Sequence, residues 1–191
     1  MEEREYKYMI SCEEFQSLIR RCPFSSPKKQ VNHYFVDTDN QLRGNHITVR
    51  LREYPDKNML EIKYSKQGEA AEGIPHLAVR EEYAREVRGV HDVTAEEVTN
   101  VTGVNIQNLH CVGSMTTFRS KYHLENDGSV CLDRNDYLGE QDYELEIEIP
   151  PDADINIAAL LTKLGIRPSL PYHGGKCTRF LQLLRRGHDF E

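Results

Sequence analysis

The stretch YELEIEIP, residues 143–150, sets Glu144, Glu146 and Glu148 on alternate positions, with Tyr143, Leu145, Ile147 and Ile149 between them. Strand side chains alternate faces, so this pattern describes a strand with one acidic and one apolar face, stopped by Pro150 and Pro151. EREYKYM, residues 3–9, repeats the pattern with Glu3, Glu5 and Lys7 on one face. Working outward, the same period of two recurs. Thr48, Arg50 and Arg52 stand opposite Ile47, Val49 and Leu51, and Glu61 and Lys63 opposite Leu60, Ile62 and Tyr64. Arg119, Lys121 and His123 stand opposite Phe118, Tyr122 and Leu124. Charge is segregated by strand: acidic on the first and last, mainly basic between.

Helix signals frame these strands. Ser11 and Glu14 form a capping-box pattern, and Phe15, Leu18, Ile19 and Cys22 follow at helical spacing up to Pro23. Thr94 and Glu97 repeat the capping box. INIAALLTKLG closes at Gly165, and a last helix carries Cys177, Phe180, Leu181 and Leu184 on one stripe. The predicted order is strand, helix, four strands, helix, three strands, two helices. That is an α+β chain dominated by antiparallel strands, read as one domain over residues 1–191.

Composition narrows the function. A net charge of −7 over 191 residues argues against a general nucleic-acid binder. No window approaches the ~18 apolar residues of a membrane span, and the acidic N-terminus does not resemble a signal peptide. Cys12, Cys22, Cys111, Cys131 and Cys177 lack metal-ligand or disulfide-framework spacing, so all five are expected to be buried, inert thiols in a cytoplasmic protein. No histidine pair has metal-site spacing, and His123 draws notice only by sharing the Arg119 face.

The helices need an apolar sheet face to pack on, which leaves the charged face for the interior of a curled sheet. Uncompensated ions there cost several kcal/mol each. Such an interior fits a small polyanion. Glu3, Glu5, Glu144 and Glu146 supply hard oxygen donors of the kind that suit Mg²⁺ or Mn²⁺. Carboxylates beside an Arg/Lys cradle suit phosphoryl chemistry.

These residues resemble the CYTH superfamily, the triphosphate tunnel metalloenzymes. The resemblance runs through E-x-E-x-K (Glu3, Glu5, Lys7), HYFVDT, TVRLRE, LEIKYS, VREEY, TFRSKY, CLDRNDYLG, QDYELEIE and KCTRFL. It is nearest to the short stand-alone bacterial members often labelled adenylate cyclases. It implies an eight-stranded antiparallel β-barrel with helices outside, and divalent-metal-dependent chemistry on triphosphates. Carried over, Glu3, Glu5, Glu144, Glu146 and Glu148 are metal residues. Lys7, Arg50, Arg52, Lys63, Arg80, Arg119, Lys121, Lys176 and Arg179 are phosphate residues. Glu3, Glu5, Lys7, Arg52 and Glu146 are the catalytic set, and Glu82 assists metal or water. Asp133 occupies a recurrent family position with either a functional or a structural role. The Gly- and Pro-containing loop at 65–79 departs from the nearest subgroup and bears on substrate choice.

The expected activity is a metal-dependent triphosphatase acting on inorganic triphosphate. The absence of Trp and of an aromatic pocket motif favours that substrate over ATP or thiamine triphosphate. A class IV adenylate cyclase, a thiamine triphosphatase and a non-catalytic polyphosphate or nucleotide sensor are the alternatives. The sequence leaves monomer and homodimer equally open.

Overall fold

The computed structural model describes residues 4–65, 80–125, 128–167 and 170–188, without the side chains of Ser65, Arg80 and His188. Glu3, residues 66–79 of the expected loop, and Asn126 and Asp127 lie outside the described residues, as does the side chain of Arg80.

Among the described residues eight strands and five α-helices follow in the order β1 (Arg4–Met9), α1 (Cys12–Arg21), β2 (Lys28–Val36), α2 (Gln41–Gly44), β3 (Thr48–Glu53), β4 (Asn58–Ser65), β5 (Arg80–Val87), α3 (Ala95–Thr102), β6 (His110–His123), β7 (Ser129–Tyr137), β8 (Glu140–Ile149), α4 (Ile157–Leu164) and α5 (Lys176–His188), with a 3-10 turn at Val90–Asp92 before α3. The strands make one eight-stranded sheet in the order β1-β8-β7-β6-β2-β3-β4-β5, and each ladder whose register is described is antiparallel. Among the described residues β1 and β5 end the order, so hydrogen bonds do not close the sheet.

The chain forms two compact units. One combines Met1–Lys29 with Thr116–Glu191, and the other is Gln30–Met115. In the first, the apolar faces of β7 and β8 bury Val130, Leu132, Leu145, Ile147 and Ile149 with Leu18 of α1 and Leu164 of α4. In the second, Val49, Leu51, Leu60 and Ile62 pack with Phe35 and with Val98 of α3. Each such side chain contributes about 1.5–3 kcal/mol when taken fully out of water.

Local signals explain the helix ends. Ser11 Oγ accepts from Glu14 N at 3.2 Å while Glu14 accepts from Ser11 N at 2.8 Å, completing the capping box of α1. Thr94 forms only half of one: its hydroxyl accepts from Glu97 N, but the Glu97 carboxylate is drawn away to Arg85 and Tyr83. A charged donor outcompetes a neutral backbone amide for that carboxylate. Helix α2 was not anticipated. It is one turn held by Asp37, whose carboxylate accepts from Gln41 N at 2.7 Å and Leu42 N at 3.0 Å.

Two expectations are corrected. Ile19 is exposed, so the apolar stripe of α1 is narrower than its sequence suggests. Of the five cysteines only Cys131 is buried; Cys12, the first residue of α1, is exposed, and Cys22, Cys111 and Cys177 are intermediate. All five are free thiols.

The β7–β8 hairpin turns on Leu138 (φ 49°) and Gly139 (φ 82°), two consecutive left-handed residues between Tyr137 and Glu140. Glycine adopts this conformation freely, whereas leucine is strained there.

Candidate functional site

In the first unit the registers of β1-β8-β7-β6 stack the charged faces in rows. Glu5 pairs with Glu148 and then Ser129 with His123; Lys7 with Glu146 and then Cys131 with Lys121; Met9 with Glu144 and then Asp133 with Arg119. The alternation read in residues 143–150 extends to Asp142, which shares the acidic face of β8.

The acids and bases satisfy one another. Lys176, at the start of α5 and only 9% exposed, donates to Glu146 Oε1 at 2.6 Å, lies 2.9 Å from Asp133 Oδ2, and also bonds Glu144. Arg179, one turn on, bonds Glu144 Oε2 at 2.6 Å and Asp142 Oδ2 at 2.8 Å. Arg119 grips Asp133 through two bonds of 2.8 and 2.6 Å, reaches Glu146, and lies 3.7 Å from Glu148. Lys7 is 2.9 Å from Glu5 and 3.7 Å from Glu146. Lys121 and Ser129 both donate to Glu148 Oε2, at 3.4 and 2.8 Å. Six carboxylates thus face five cations.

Electrostatics separates the two buried glutamates. Burial pushes Glu144 up, and the adjacent Glu146 adds to this against Lys176 and Arg179. Burial also opposes the charge on Glu146, but Lys176, Arg119 and Lys7 outweigh it and hold that carboxyl well below its usual range. Lys176 is held well above its ordinary value: burial acts against its charge, and Asp133, Glu146 and Glu144 overcome burial. Lys7 is raised by Glu146 and Glu5 despite its own burial. Burial drives the Cys131 thiol up to about 12, so it stays protonated.

Among the described residues two carboxylate trios bring one oxygen from each member within 4.8 Å of the others: Glu5, Glu146 and Glu148, and Asp133, Glu144 and Glu146. The second encloses the Lys176 ammonium. The first mixes an exposed, a buried and a half-buried acid, with Lys7 alongside. Three hard oxygens, one of them solvent-accessible, fit a divalent ion that keeps several waters.

In the second unit Glu61 lies across from Arg50 in the ladder, bonds its guanidinium, and is 3.8 Å from Arg52. Burial would raise Glu61, but Arg50 and then Arg52 hold it below its usual range. Arg52 also donates to the buried Asn32 at 2.8 Å. Lys63 pairs with Glu82, which is largely exposed.

Of the residues singled out in the sequence, Glu5, Lys7, Arg119, Lys121, Glu144, Glu146, Glu148, Lys176 and Arg179 come together in the first unit, joined by Asp133. Arg50, Arg52, Lys63 and Glu82 come together in the second. His123 is exposed at the end of β6. The roles of Asp142 and Ser129 were missed, although each shares the parity of charged residues already recognised on its own or the neighbouring strand.

The model of the CYTH domain matches residues 1–166, most of the chain. The Bacillus subtilis (strain 168) protein "Putative triphosphatase YjbK" is 27% identical over 149 residues, 76% of this chain and 76% of that one. Among solved structures, one from Bacillus halodurans described as "a putative adenylate cyclase" is 25% identical with a TM-score of 0.75, covering 93% of this chain and 96% of that one. The Hippeastrum protein HpAC1, described as a "Putative adenylyl cyclase" with "a dominant triphophatase activity", is alike in fold: TM-score 0.70, 20% identity, 97% of this chain and 95% of that one. With its paired acidic strands and eight antiparallel strands in place, the chain belongs to the CYTH domain family.

Proposed function

We propose that this protein is a metal-dependent hydrolase of triphosphate compounds, with inorganic triphosphate as its substrate. The observation that carries this is the acidic row of β8, interleaved with Lys7, Arg119 and Lys121 and edged by the accessible Glu5. A purely structural ion network has no need of a carboxylate trio open on one side. The name of the B. subtilis relative agrees with this activity.

Glu5, Glu146 and Glu148 would hold Mg²⁺ or Mn²⁺, which when bound supplies charge neutralisation at phosphate oxygens. The chain's own groups do the rest. Lys7 and Lys121, each partnered by a carboxylate on the rim of the row, exchange those partners for phosphate oxygens and orient the polyanion. Arg119, fixed in a fork by Asp133, presents its remaining capacity to charge developing on the scissile bridge. Arg50, Arg52 and Lys63 of the second unit are proposed as further phosphate residues, as are Arg80, Lys176 and Arg179, and Glu3 as a further metal residue. Water attacks the terminal phosphorus, the bridging P–O bond breaks, and the proton passes to solvent or a carboxylate.

Adenylate cyclisation is the second reading, favoured by the description of the B. halodurans structure. A panel of inorganic triphosphate, ATP and thiamine triphosphate with Mg²⁺ or Mn²⁺ decides between them. Orthophosphate release, strongest from inorganic triphosphate, is the expected result. Cyclic AMP and pyrophosphate from ATP would replace it with the cyclase, and tight binding without turnover would overturn both.

A further inference from the structure

Among the described residues four large apolar side chains are exposed, and two of them, Leu170 and Tyr172, are each 45% exposed in the segment leading into α5. That segment is fastened to the charged cluster. Arg179 Nη1, which bonds Glu144, also donates to the Gly174 carbonyl at 2.7 Å. Tyr172 therefore stands two residues before a backbone anchor and four before the buried Lys176. A side chain on Gly174 would come within 3.0 Å of Thr178 Cγ2, so the approach of this segment to α5 is close.

The Tyr172 phenol is raised above its ordinary value, first by partial burial and then by the charge of Glu144, while Lys7, Arg179 and Lys176 act against this. The anchor at Gly174 thus holds this segment against the charged cluster, while much of the Tyr172 surface stays open to solvent. An exposed aromatic surface beside a polyanion site is suited to a planar heterocycle joined to phosphates, because ring stacking tolerates any base. An inorganic polyphosphate has no use for such a surface.

We propose that Tyr172 is a specificity-determining residue, a platform on which the planar group of a nucleoside triphosphate stacks while its phosphates engage the charged cluster; this rests on the triphosphate chemistry proposed above. The platform adds nucleoside triphosphates to the substrates accepted and leaves inorganic triphosphate untouched.

The experiment compares wild type, Tyr172→Ala and Tyr172→Phe on ATP and on inorganic triphosphate, with calorimetric binding of ATP measured in parallel under non-turnover conditions. Tyr172→Ala is expected to weaken ATP binding and raise its KM by about tenfold, the loss of one stacked base, with kcat nearly unchanged. Inorganic triphosphate kinetics stay within about twofold of wild type in every variant. Tyr172→Phe, which keeps the ring, restores ATP. Equal losses on both substrates, an unaltered ATP affinity in Tyr172→Ala, or failure of Tyr172→Phe to rescue would each overturn the assignment. A wild-type protein that hydrolyses neither compound sinks the proposed function instead, and the calorimetric comparison still decides the role of Tyr172.

Discussion

The ammonium of Lys176 lies 2.6 Å from Glu146 Oε1 and serves as the internal counter-ion of three buried carboxylates. Removing it while keeping the stem leaves Asp133, Glu144 and Glu146 facing one another with reduced compensation. Lys176→Met is expected to cost about 3–5 kcal/mol, a fall in melting midpoint of roughly 6–20 °C at this chain length. Added Mg²⁺ or Mn²⁺ should raise the midpoint more in Lys176→Met than in wild type, because the vacated trio offers oxygen ligands. Thermal melts with and without metal check both points.

Glu61 gives the fold a dependence on acid. Arg50 and Arg52 hold its carboxyl below the ordinary value of 4.5 in the folded state. A depressed folded pKa contributes stability that is fully present above the unfolded pKa and is lost as pH falls through the folded one. Midpoints measured from pH 7 down to pH 3 should therefore drop more steeply below about 4.5 in wild type than in Glu61→Gln. At pH 7 the variant should be less stable by about 1–3 kcal/mol, since it loses a charge-assisted bond. Parallel curves for the two proteins would show that the pair contributes nothing.

The hairpin tip carries avoidable strain. Leu138 is 46% exposed and left-handed, so replacing it forfeits little burial. Asn-Gly is the favoured pair for this turn. Leu138→Asn should stabilise by about 0.5–1 kcal/mol, a rise of roughly 1–4 °C, with activity unchanged. A fall in midpoint would mean that the leucine makes contacts that matter.

Much of this architecture was legible because strand alternation is a strict code. The parity of Glu144, Glu146 and Glu148 sets which side chains of β8 pack in the first unit, and that of Arg50, Arg52, Glu61 and Lys63 does the same for β3 and β4 in the second. Ser11 and Glu14 announced α1 by chemistry local to four residues. The less legible features depend on partners distant in sequence. Glu97 abandons its cap for Arg85, and Lys176 and Arg179 pair with acids of β7 and β8 that their own periodicity does not name. Periodicity assigns a charge to a face but says nothing of which opposite charge it meets there. Tyr172 escaped notice for a related reason: it lies in no periodic element, and its interest comes from the anchor at Gly174.

The most direct test of the central claim is orthophosphate release from inorganic triphosphate, measured against Mg²⁺ and Mn²⁺ concentration for wild type and Glu5→Gln. Glu5 is 38% exposed in its side chain, so the substitution removes an anionic oxygen without disturbing a packed core. Wild type is expected to require the divalent ion. Glu5→Gln should keep the wild-type melting midpoint while losing about 100-fold or more of turnover at metal concentrations that saturate wild type. Release without metal, or wild-type turnover in Glu5→Gln at saturating metal, would contradict the assignment of the Glu5, Glu146 and Glu148 trio as the metal-holding centre of a triphosphatase.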